Sequence, residues 1–339
     1  MDNQAHKSFL IQDRSYLSLY KKEIHKLATE NGLGEKKTAE VDIIVAEMTS
    51  NLLKHTKGGE LLVKLFADGP HMGLELLCID NGPGMADPQK MMNDGVSTTN
   101  TLGQGLGAIK RLSDTFQLYS LKDWGTVLLS RVYKDELTAR ELTESSNKIR
   151  TVMVPKPGET LCGDGYAEKI GKDYWKVFAG DGLGHGPEAN HAVKEAVTLF
   201  KNCPYNDPVE IVRTIHASVK RTRGLVGTVA VYSIKEKMWR MCGVGNVASF
   251  MVNSLVHKGY MSYNGVIGLN MPNTMNPQQV PHMHNQMLLM CSDGIKTRID
   301  TTKYPAIMKY DPTVLAAAIY KDYARKTDDM LVLVSKVTQ

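Results

Sequence analysis

The chain has 339 residues and a formal net charge of +5, a length that exceeds one compact core and suits two domains. Lys and Arg are scattered, with the longest basic cluster at 220–223 (KRTR), so the charge indicates no nucleic-acid partner. No window reaches the run of ~18 apolar residues that a membrane span needs, the N-terminus lacks a secretory signal layout, and five cysteines without a CxxC pair indicate reduced thiols in the cytoplasm.

The first half of the chain alternates helix and strand signals. Helical periodicity over 38–56 places five apolar residues on one face, with Thr38 as the predicted N-cap; these residues are Val41, Ile44, Val45, Met48 and Leu52. Further along, the sequence predicts strands at 60–66 and 73–79, a glycine-rich stretch at 93–107, a short helix at 106–115 and a strand pair at 116–121 and 125–133. These elements predict one α/β sandwich.

The second half has a different texture. Residues 134–148 are nearly all polar or charged, so we predict a linker there, with one or two helical turns as an alternative. Three amphipathic helices are predicted near 187–201, 208–221 and 312–325. Strand signals dominate elsewhere, at 149–155, 174–180, 227–234, 238–244, 248–253, 286–294 and 330–337. A layered β-rich domain with helices on its outer faces fits this pattern.

Polar residues on the long N-terminal helix suggest a binding site. Glu47, Asn51 and His55 are spaced by four residues and share a face that is separate from the apolar one. A carboxylate and an amide one turn apart can share a divalent cation, although a solvated polar stripe is the alternative interpretation. Asp80 then ends a strand beside Gly82 and Gly84, where a carboxylate can accept a hydrogen bond from an adenine amino group.

Two further glycine motifs complete this pattern. GQGLG at 103–107 opens a helix, whose N-terminal N–H groups suit phosphate, and WGT at 124–126 forms another glycine-bounded turn. In this order EMTSNLLKH, DNGPGM, GQGLG and GT resemble the GHKL ATPase family over about residues 8–133. Within that family the chain looks most like the serine kinases of bacterial partner-switching systems, the anti-sigma and stressosome switch kinases.

The resemblance implies ATP and Mg²⁺ as cofactors of a serine/threonine kinase and gives each motif residue a role. Glu47 is the implied general base toward a substrate serine, Asn51 the Mg²⁺ ligand and Asp80 the adenine reader, with Thr126 near the adenine end. Lys110 or Arg111 would neutralise charge at the γ-phosphate, or else lie on a solvated helix face. His55 is not expected to be a phosphorylation site. The implied nucleotide-framing glycines are Gly82, Gly84, Gly103, Gly105 and Gly107.

Four acids mark the second half. Asp164, Asp181, Asp293 and Asp328 each lie at a strand edge or turn, with glycine beside the first three. Any single Asp-Gly is most simply a turn. Four carboxylates close together, however, repel unless a cation lies between them, and a pair of hard divalent ions suits oxygen ligands and activates water toward phosphorus.

The order GDGYA, FAGDGLGHGPEA, GTVAVYSI, GVGNVASF, MCSDGI and TDDMLVLV resembles the metal-dependent PPM protein phosphatases of the SpoIIE-type branch, over about residues 150–338. The resemblance implies two Mn²⁺ or Mg²⁺ ions bound by Asp164 and Asp181 with the Gly182 carbonyl. Asp293 and Asp328 would complete one ion's shell, with Asp328 preferred to Asp329. His185 would hydrogen-bond a metal water or the phosphate, or else be a structural turn histidine.

Together the two resemblances predict an α/β and α+β protein: a GHKL ATPase α/β sandwich at 1–133, a linker at 134–148 and a PPM-type αββα sandwich at 149–339. The implied function is a cytoplasmic bifunctional switch, a protein serine/threonine kinase fused to a protein serine/threonine phosphatase. Its implied partners are STAS-domain proteins and, through them, a sigma-factor regulator, with no nucleic acid or membrane. In the alternatives, the first domain only binds ATP or sequesters a partner as an anti-sigma factor. The oligomeric state is not predicted.

Overall fold

The structure of the chain, a computed structural model, describes residues 4–88, 105–138, 147–253 and 256–337. The chain divides into two compact units, His6–Ser145 and Ser146–Gln339. The division falls within the polar segment 134–148, and the domain limits given above stay predictions. Among the helices of the described residues, none is both long and apolar enough to cross a membrane.

An antiparallel five-stranded sheet with helices packed on one face forms the first unit. The strand order is β1-β2-β3-β5-β4. The strands are β1 (Lys7–Ile11), β2 (Gly59–Asp68), β3 (His71–Asp80), β4 (Thr115–Leu121) and β5 (Gly125–Tyr133), and the helices are α1 (Leu17–Glu30), α2 (Glu35–His55) and α3 (Gly105–Leu112).

The helix-facing side of this sheet follows from alternation along the strands. Leu61 and Val63 of β2 and Leu74 and Leu76 of β3 are two residues apart, so each pair points to the same face. The apolar stripe of α2, exemplified by Met48, packs against that face and is almost completely buried. Burial of this stripe fixes the rotation of α2, and thereby the direction of its polar face.

Three features of this unit differ from the sequence predictions. The N-cap assignment was wrong: α2 begins at Glu35, after Gly34, and Thr38 lies inside the helix, where its hydroxyl donates to the Leu33 carbonyl at 3.3 Å. Strand β1 and helix α1 were not predicted. The β1 strand is a short edge strand, and such strands carry a weak periodic signal.

Two antiparallel five-stranded sheets form the core of the second unit, with strand orders β13-β10-β9-β8-β7 and β12-β11-β14-β15-β6. Their bounds are β6 (Asn147–Val154), β7 (Asp164–Ile170), β8 (Tyr174–Gly182), β9 (Leu225–Ser233), β10 (Met238–Val244), β11 (Ala248–Val252), β12 (His257–Tyr260), β13 (Gln278–Pro281), β14 (Met287–Cys291) and β15 (Met330–Val337). The helices are α4 (Pro187–Asn202), α5 (Pro208–Ser218) and α6 (Pro312–Tyr323).

The layers of this unit are held by apolar contacts on both sides of each sheet. Between the sheets, Trp175 and Trp239 lie with ring centroids 5.6 Å apart, beside Leu331 of the second sheet. Helices α4 and α5 cover the outer face of the first sheet, and α6 packs on β15 and β6 of the second. This is the αββα arrangement, and the predicted fold class is confirmed.

The strands that the sequence did not reveal in this unit share one property. Strands β7, β12 and β13 all lie at the edge of a sheet. An edge strand has only one paired neighbour and tolerates polar residues, as in β12 (HKGY), so neither an apolar run nor a clean alternation marks it. The central strands were predicted because burial on both sides requires nearly continuous apolar residues, as in β9.

Candidate functional sites

Helices α2 and α3 bring the first predicted site residues together. Glu47 and Asn51 lie on the half-buried side of α2, and α3 begins at Gly105. A Cβ added to Gly105 would lie 2.7 Å from Glu47 Oε2 and 3.6 Å from Asn51 Oδ1. The start of α3 therefore adjoins both side chains, and His55, the last residue of α2, is exposed.

The other half of this site lies at the ends of β3 and β5. Asp80 and Thr126 are directly opposite each other in the β3–β5 ladder, and both are buried. Asp80 Oδ1 accepts a hydrogen bond from the Gly82 N–H at 2.7 Å, and the Thr126 hydroxyl lies 3.0 Å from that of Ser120. Ser120 has no counterpart among the predicted residues, because a serine inside an ordinary strand gives no sequence signal.

Close backbone approach explains two of the glycines here. Gly84 has φ of 66°, and a Cβ there would lie 1.8 Å from the Leu121 carbonyl oxygen. Gly125 has φ of 114°, with the Asp80 carbonyl oxygen 2.1 Å from the same position. No L side chain fits either place, so these glycines bring the turn after β3 against the β4–β5 turn.

The remaining predicted residues of this site have mixed outcomes. Gly82 lies over Thr56, and Gly107 is buried in α3. Gly103 lies outside the described residues. Lys110 and Arg111 are exposed in the last turn of α3.

In the second unit, the β7–β8 hairpin places two acids face to face. Asp164 and Asp181 are direct partners in the antiparallel ladder. Asp164 is 1 % exposed, whereas Asp181 is half-buried. Residues directly opposite in such a ladder have Cβ atoms ~4.5–5.5 Å apart, so the two carboxylates lie side by side.

A hydrogen bond from the residue that follows β14 holds Asp164 in place. The Ser292 hydroxyl donates to Asp164 Oδ2 at 2.7 Å and accepts from the Leu331 N–H at 2.9 Å. The second oxygen, Asp164 Oδ1, is buried and makes no hydrogen bond to the protein. A buried, unsatisfied carboxylate oxygen is costly, which makes it a natural ligand for a cation.

The three remaining acids differ in burial and in hydrogen bonding. Asp293 Oδ2 accepts from Asn246 Nδ2 at 3.0 Å. Asp329 is buried, and its two oxygens accept from the Lys156 and Gly163 N–H groups, each at 2.9 Å. Asp328 is half-buried, and its Oδ1 accepts a local hydrogen bond from the Asp329 N–H at 2.9 Å. Asp329 is thus committed to the backbone.

Electrostatics tie the acids together. Burial, followed by the charge of Asp181, raises the pKa of Asp164 well above its usual range. Burial, followed by the charges of Asp293 and Asp328, does the same to the pKa of Asp181. Both directions mean that the carboxylates oppose one another's ionisation at short range.

The chemistry of these residues fits hard divalent ions. Within the described residues, no three His, Cys, Asp or Glu side chains already converge as a complete set of metal ligands. Nearby carboxylates nevertheless raise the pKa of Asp164 and Asp181, and Asp164 offers an unpaired oxygen. Carboxylates held this close repel one another unless a cation lies between them.

The loop that follows Asp181 is built from glycines. A Cβ on Gly182 would lie 2.5 Å from the Ala189 carbonyl oxygen, and Gly184 and Gly186 have φ of 81° and 79°. His185 Nδ1 lies 2.8 Å from Glu159 Oε1, and both side chains are substantially exposed. Glu159 was not among the predicted residues, because nothing in the sequence links a polar loop residue to a histidine twenty-six positions away.

All five cysteines are free and buried in the structure. Burial, followed by nearby acids, raises the pKa of the Cys162 and Cys78 thiols, and burial raises that of Cys242 to about 11. Protonated, buried thiols are poor nucleophiles, so these cysteines have structural roles.

Comparisons with known proteins match each unit separately. The family described as "Histidine kinase-like ATPase domain" matches residues 12–131, and "Stage II sporulation protein E (SpoIIE)" matches residues 171–338, a range that begins after Asp164. Serine/threonine-protein kinase RsbT of Bacillus subtilis (strain 168) is 36% identical over 100 residues, which cover 30% of this chain and 75% of RsbT.

A second relative and a solved structure add to these matches. Phosphoserine phosphatase RsbX of the same organism is 26% identical over 106 residues, 31% of this chain and about half (53%) of RsbX. A structure described as "The bacterial stressosome: a modular system that has been adapted to control secondary messenger signaling" has a TM-score of 0.53 and 24% identity. It covers 57% of this chain and 100% of its own, and its likeness concerns the fold.

Proposed function

We propose a function that starts from the family of the chain. The chain belongs to the RsbT-like kinase family through its N-terminal histidine kinase-like ATPase domain, and this domain is fused to a SpoIIE-type PPM phosphatase domain. The chain is an enzyme of two kinds, a protein phosphatase and a kinase. We infer that it is a cytoplasmic bifunctional switch, which phosphorylates and dephosphorylates serine or threonine residues of STAS-domain proteins. The observation that carries this proposal is the pair Asp164–Asp181, supported by Glu47 beside Gly105.

In the first unit the residues suit phosphoryl transfer from ATP. Glu47 would accept the proton of the substrate hydroxyl, and Asn51, one turn away, would hold Mg²⁺. Asp80 would accept from the adenine amino group next to Thr126. The glycines would let backbone N–H groups approach the phosphates, with Gly105 at the start of α3 closest to the proposed base.

In the second unit the acids suit phosphomonoester hydrolysis. Asp164, Asp181 and the Gly182 carbonyl would hold two Mn²⁺ or Mg²⁺ ions, and Asp293 and Asp328 would complete one shell. Bound there, such ions would lower the pKa of water and neutralise phosphate charge. The protein's own contribution is orientation. Ser292 fixes the Asp164 carboxylate, and Asp329 fixes the backbone at Gly163, the residue before Asp164.

The proposed substrates follow from the two relatives. RsbT is described as a serine/threonine-protein kinase and RsbX as a phosphoserine phosphatase, so the two chemistries are opposite and meet here in one chain. Such a pairing suits a partner-switching system, in which the phosphorylation state of a STAS-domain protein decides whether a sigma-factor regulator or another effector is released.

A direct test uses the full chain with a purified STAS-domain protein. With ATP and Mg²⁺, Asp181→Asn should phosphorylate the STAS protein on serine or threonine, detected by phosphate-affinity gels. With the phosphorylated STAS protein and Mn²⁺, Glu47→Ala should release phosphate. Phosphate release without any transfer would instead favour a first domain that only binds ATP. Stable complex formation without turnover would favour sequestration of the partner.

A further inference from the structure

The basic segment KRTR at 220–223 leads into the strand beside the acids. Its last residue, Arg223, lies two positions before Leu225, which is the ladder partner of Gly182. Because Gly182 directly follows Asp181, this register fixes the start of β9 next to the proposed metal ligands. The Leu183 N–H also donates to the Gly224 carbonyl at 3.1 Å, so the residue after Gly182 is held against the residue after Arg223.

The Arg223 guanidinium extends over the loop that follows Asp181. Its Nη1 lies 3.0 Å from the position that a Cβ of Gly184 would occupy. A side chain at Gly184 would therefore meet the guanidinium, and φ of 81° disfavours one there in any case. The absence of a side chain at Gly184 thus leaves room for the Arg223 guanidinium over the loop that follows Asp181.

Arg223 has a partner that an incoming anion can displace. Its Nε pairs with Glu188 Oε2 at 2.5 Å, at the first turn of α4, and the two side chains are 50% and 70% exposed. Exposed ion pairs of this kind contribute little, because water competes for both charges. The ion pair with Glu188 is therefore weak enough for an anion to replace the Glu188 carboxylate at the guanidinium.

A phosphomonoester is the ligand that this arrangement suits. It carries about −1.5 to −2 charges, and the guanidinium fork matches the spacing of two phosphate oxygens. We propose that Arg223 binds the non-reacting oxygens of the substrate phosphate in place of Glu188, and so positions the phosphorus beside Asp164 and Asp181. This inference rests on the proposed phosphatase function of the second unit.

The test measures hydrolysis of p-nitrophenyl phosphate by the full chain with Mn²⁺, with inorganic phosphate as inhibitor. Arg223→Ala should raise KM and the inhibition constant of phosphate by roughly tenfold, because charge-assisted hydrogen bonds to the phosphate are lost. The kcat should change by much less than KM. Arg223→Lys should recover part of the loss, and Glu188→Gln should lower the inhibition constant, because the competing carboxylate is gone.

Arg221→Ala is the matched control, since it removes the same charge from an exposed position in the same segment. Its KM should equal that of the unmodified chain. Equal effects of the Arg221 and Arg223 variants would show diffuse attraction and overturn the inference, as would an unchanged phosphate inhibition constant in Arg223→Ala. If Arg223→Ala lowers the thermal midpoint, the phosphate inhibition constants of Arg223→Lys and Glu188→Gln test the inference instead. Values equal to that of the unmodified chain in both variants would overturn it. An unmodified chain without metal-dependent hydrolysis would overturn the proposed function, and this inference with it.

Discussion

Asp164 lies directly opposite Asp181 in the β7–β8 ladder, and burial together with neighbouring charge raises the pKa of both carboxyls. Close like charges destabilise the folded chain unless a cation compensates them. The same contact that suits the proposed chemistry should therefore lower the stability of the second unit when no metal is bound.

Asp181→Asn should separate these two effects. In excess chelator the variant should unfold at a higher temperature than the unmodified chain, because one of two opposed charges is removed. With Mn²⁺ only the unmodified chain should gain in thermal midpoint and hydrolyse an aryl phosphate, since ligand binding to the native state stabilises it. Calorimetry in both conditions gives the measurement.

Asp173→Asn is the control for this comparison, because Asp173 is exposed at the turn of the same hairpin. It should behave like the unmodified chain in both conditions. Full hydrolysis by the unmodified chain in excess chelator would contradict the metal assignment.

Adjacent acids in the DD pair should respond differently to substitution. Asp329→Ala should destabilise the chain by about 2–4 kcal/mol, because the Lys156 and Gly163 N–H groups lose their acceptor. Asp328→Ala should leave stability in chelator nearly unchanged and weaken Mn²⁺ binding. Urea unfolding and metal titration of both variants provide the test, and the reverse assignment would move the proposed ligand to Asp329.

This pair also shows what the sequence can and cannot predict. Glycine motifs and strand-end acids identified both candidate sites, because close backbone approach and charge restrict the residue type at Gly84 or Asp181. The partners of Asp164, Asp293 and His185 were missed, because they are common polar residues distant in the chain from the residues they contact. These partners are Ser292, Asn246 and Glu159, respectively. Their roles depend on which strands pair, and edge strands such as β7 carry too weak a pattern to reveal the register.

A buried ionic cluster in the first unit predicts acid sensitivity. Glu75 is fully buried, which by itself opposes ionisation, yet Lys64, Arg131 and His6 hold its pKa well below the usual range. A lowered pKa in the folded state contributes stability above the unfolded value, and that contribution disappears as the pH falls through the folded value. The first unit should therefore lose stability at acidic pH.

Glu75→Gln tests this origin. The variant should be less stable by about 3–5 kcal/mol at pH 7, because Lys64 and Arg131 lose a buried carboxylate. Its stability should also depend less on pH below the usual pKa of glutamate. Urea unfolding between about pH 2 and pH 7, a range that extends well below the usual carboxylate pKa values of ~4, gives the comparison; parallel curves for the two chains would assign the acid sensitivity to other groups.

Two glycine substitutions should have opposite consequences in the first unit. In Gly105→Ala the new Cβ meets the flexible end of Glu47, so the carboxylate can move aside. We expect little change in stability and a large loss of phosphoryl transfer, with ATP binding retained. In Gly84→Ala the new Cβ meets the Leu121 carbonyl at positive φ, so the fold itself should be destabilised, by at least about 1–3 kcal/mol.

Transfer assays and thermal unfolding of the two variants separate these outcomes. Asp80→Asn extends the comparison, because an amide donor facing the adenine amino group should weaken ATP binding by ~1–3 kcal/mol. Calorimetric ATP titration of the unmodified chain is the reference. Absence of ATP binding there would contradict the proposed kinase function, whereas normal transfer by Gly105→Ala would contradict the need for an undisturbed Glu47 carboxylate.

The proposed fusion of a kinase with a phosphatase predicts a futile cycle on one substrate. With ATP, Mg²⁺, Mn²⁺ and a STAS-domain protein, the unmodified chain should consume ATP while little phosphoprotein accumulates. The reason is the covalent connection: the predicted linker of about fifteen residues would keep the second active site at high effective concentration near a newly released product. Asp181→Asn or Asp293→Asn should convert the chain into a net kinase, and Glu47→Ala into a net phosphatase. Phosphate-affinity gels and an ATP-consumption assay, followed over time, measure both quantities.

If the phosphatase-dead variants accumulate no more phosphoprotein than the unmodified chain, the domains act on different substrates or the first one transfers no phosphate. Dephosphorylation of the same STAS protein by Glu47→Ala would then identify the second explanation.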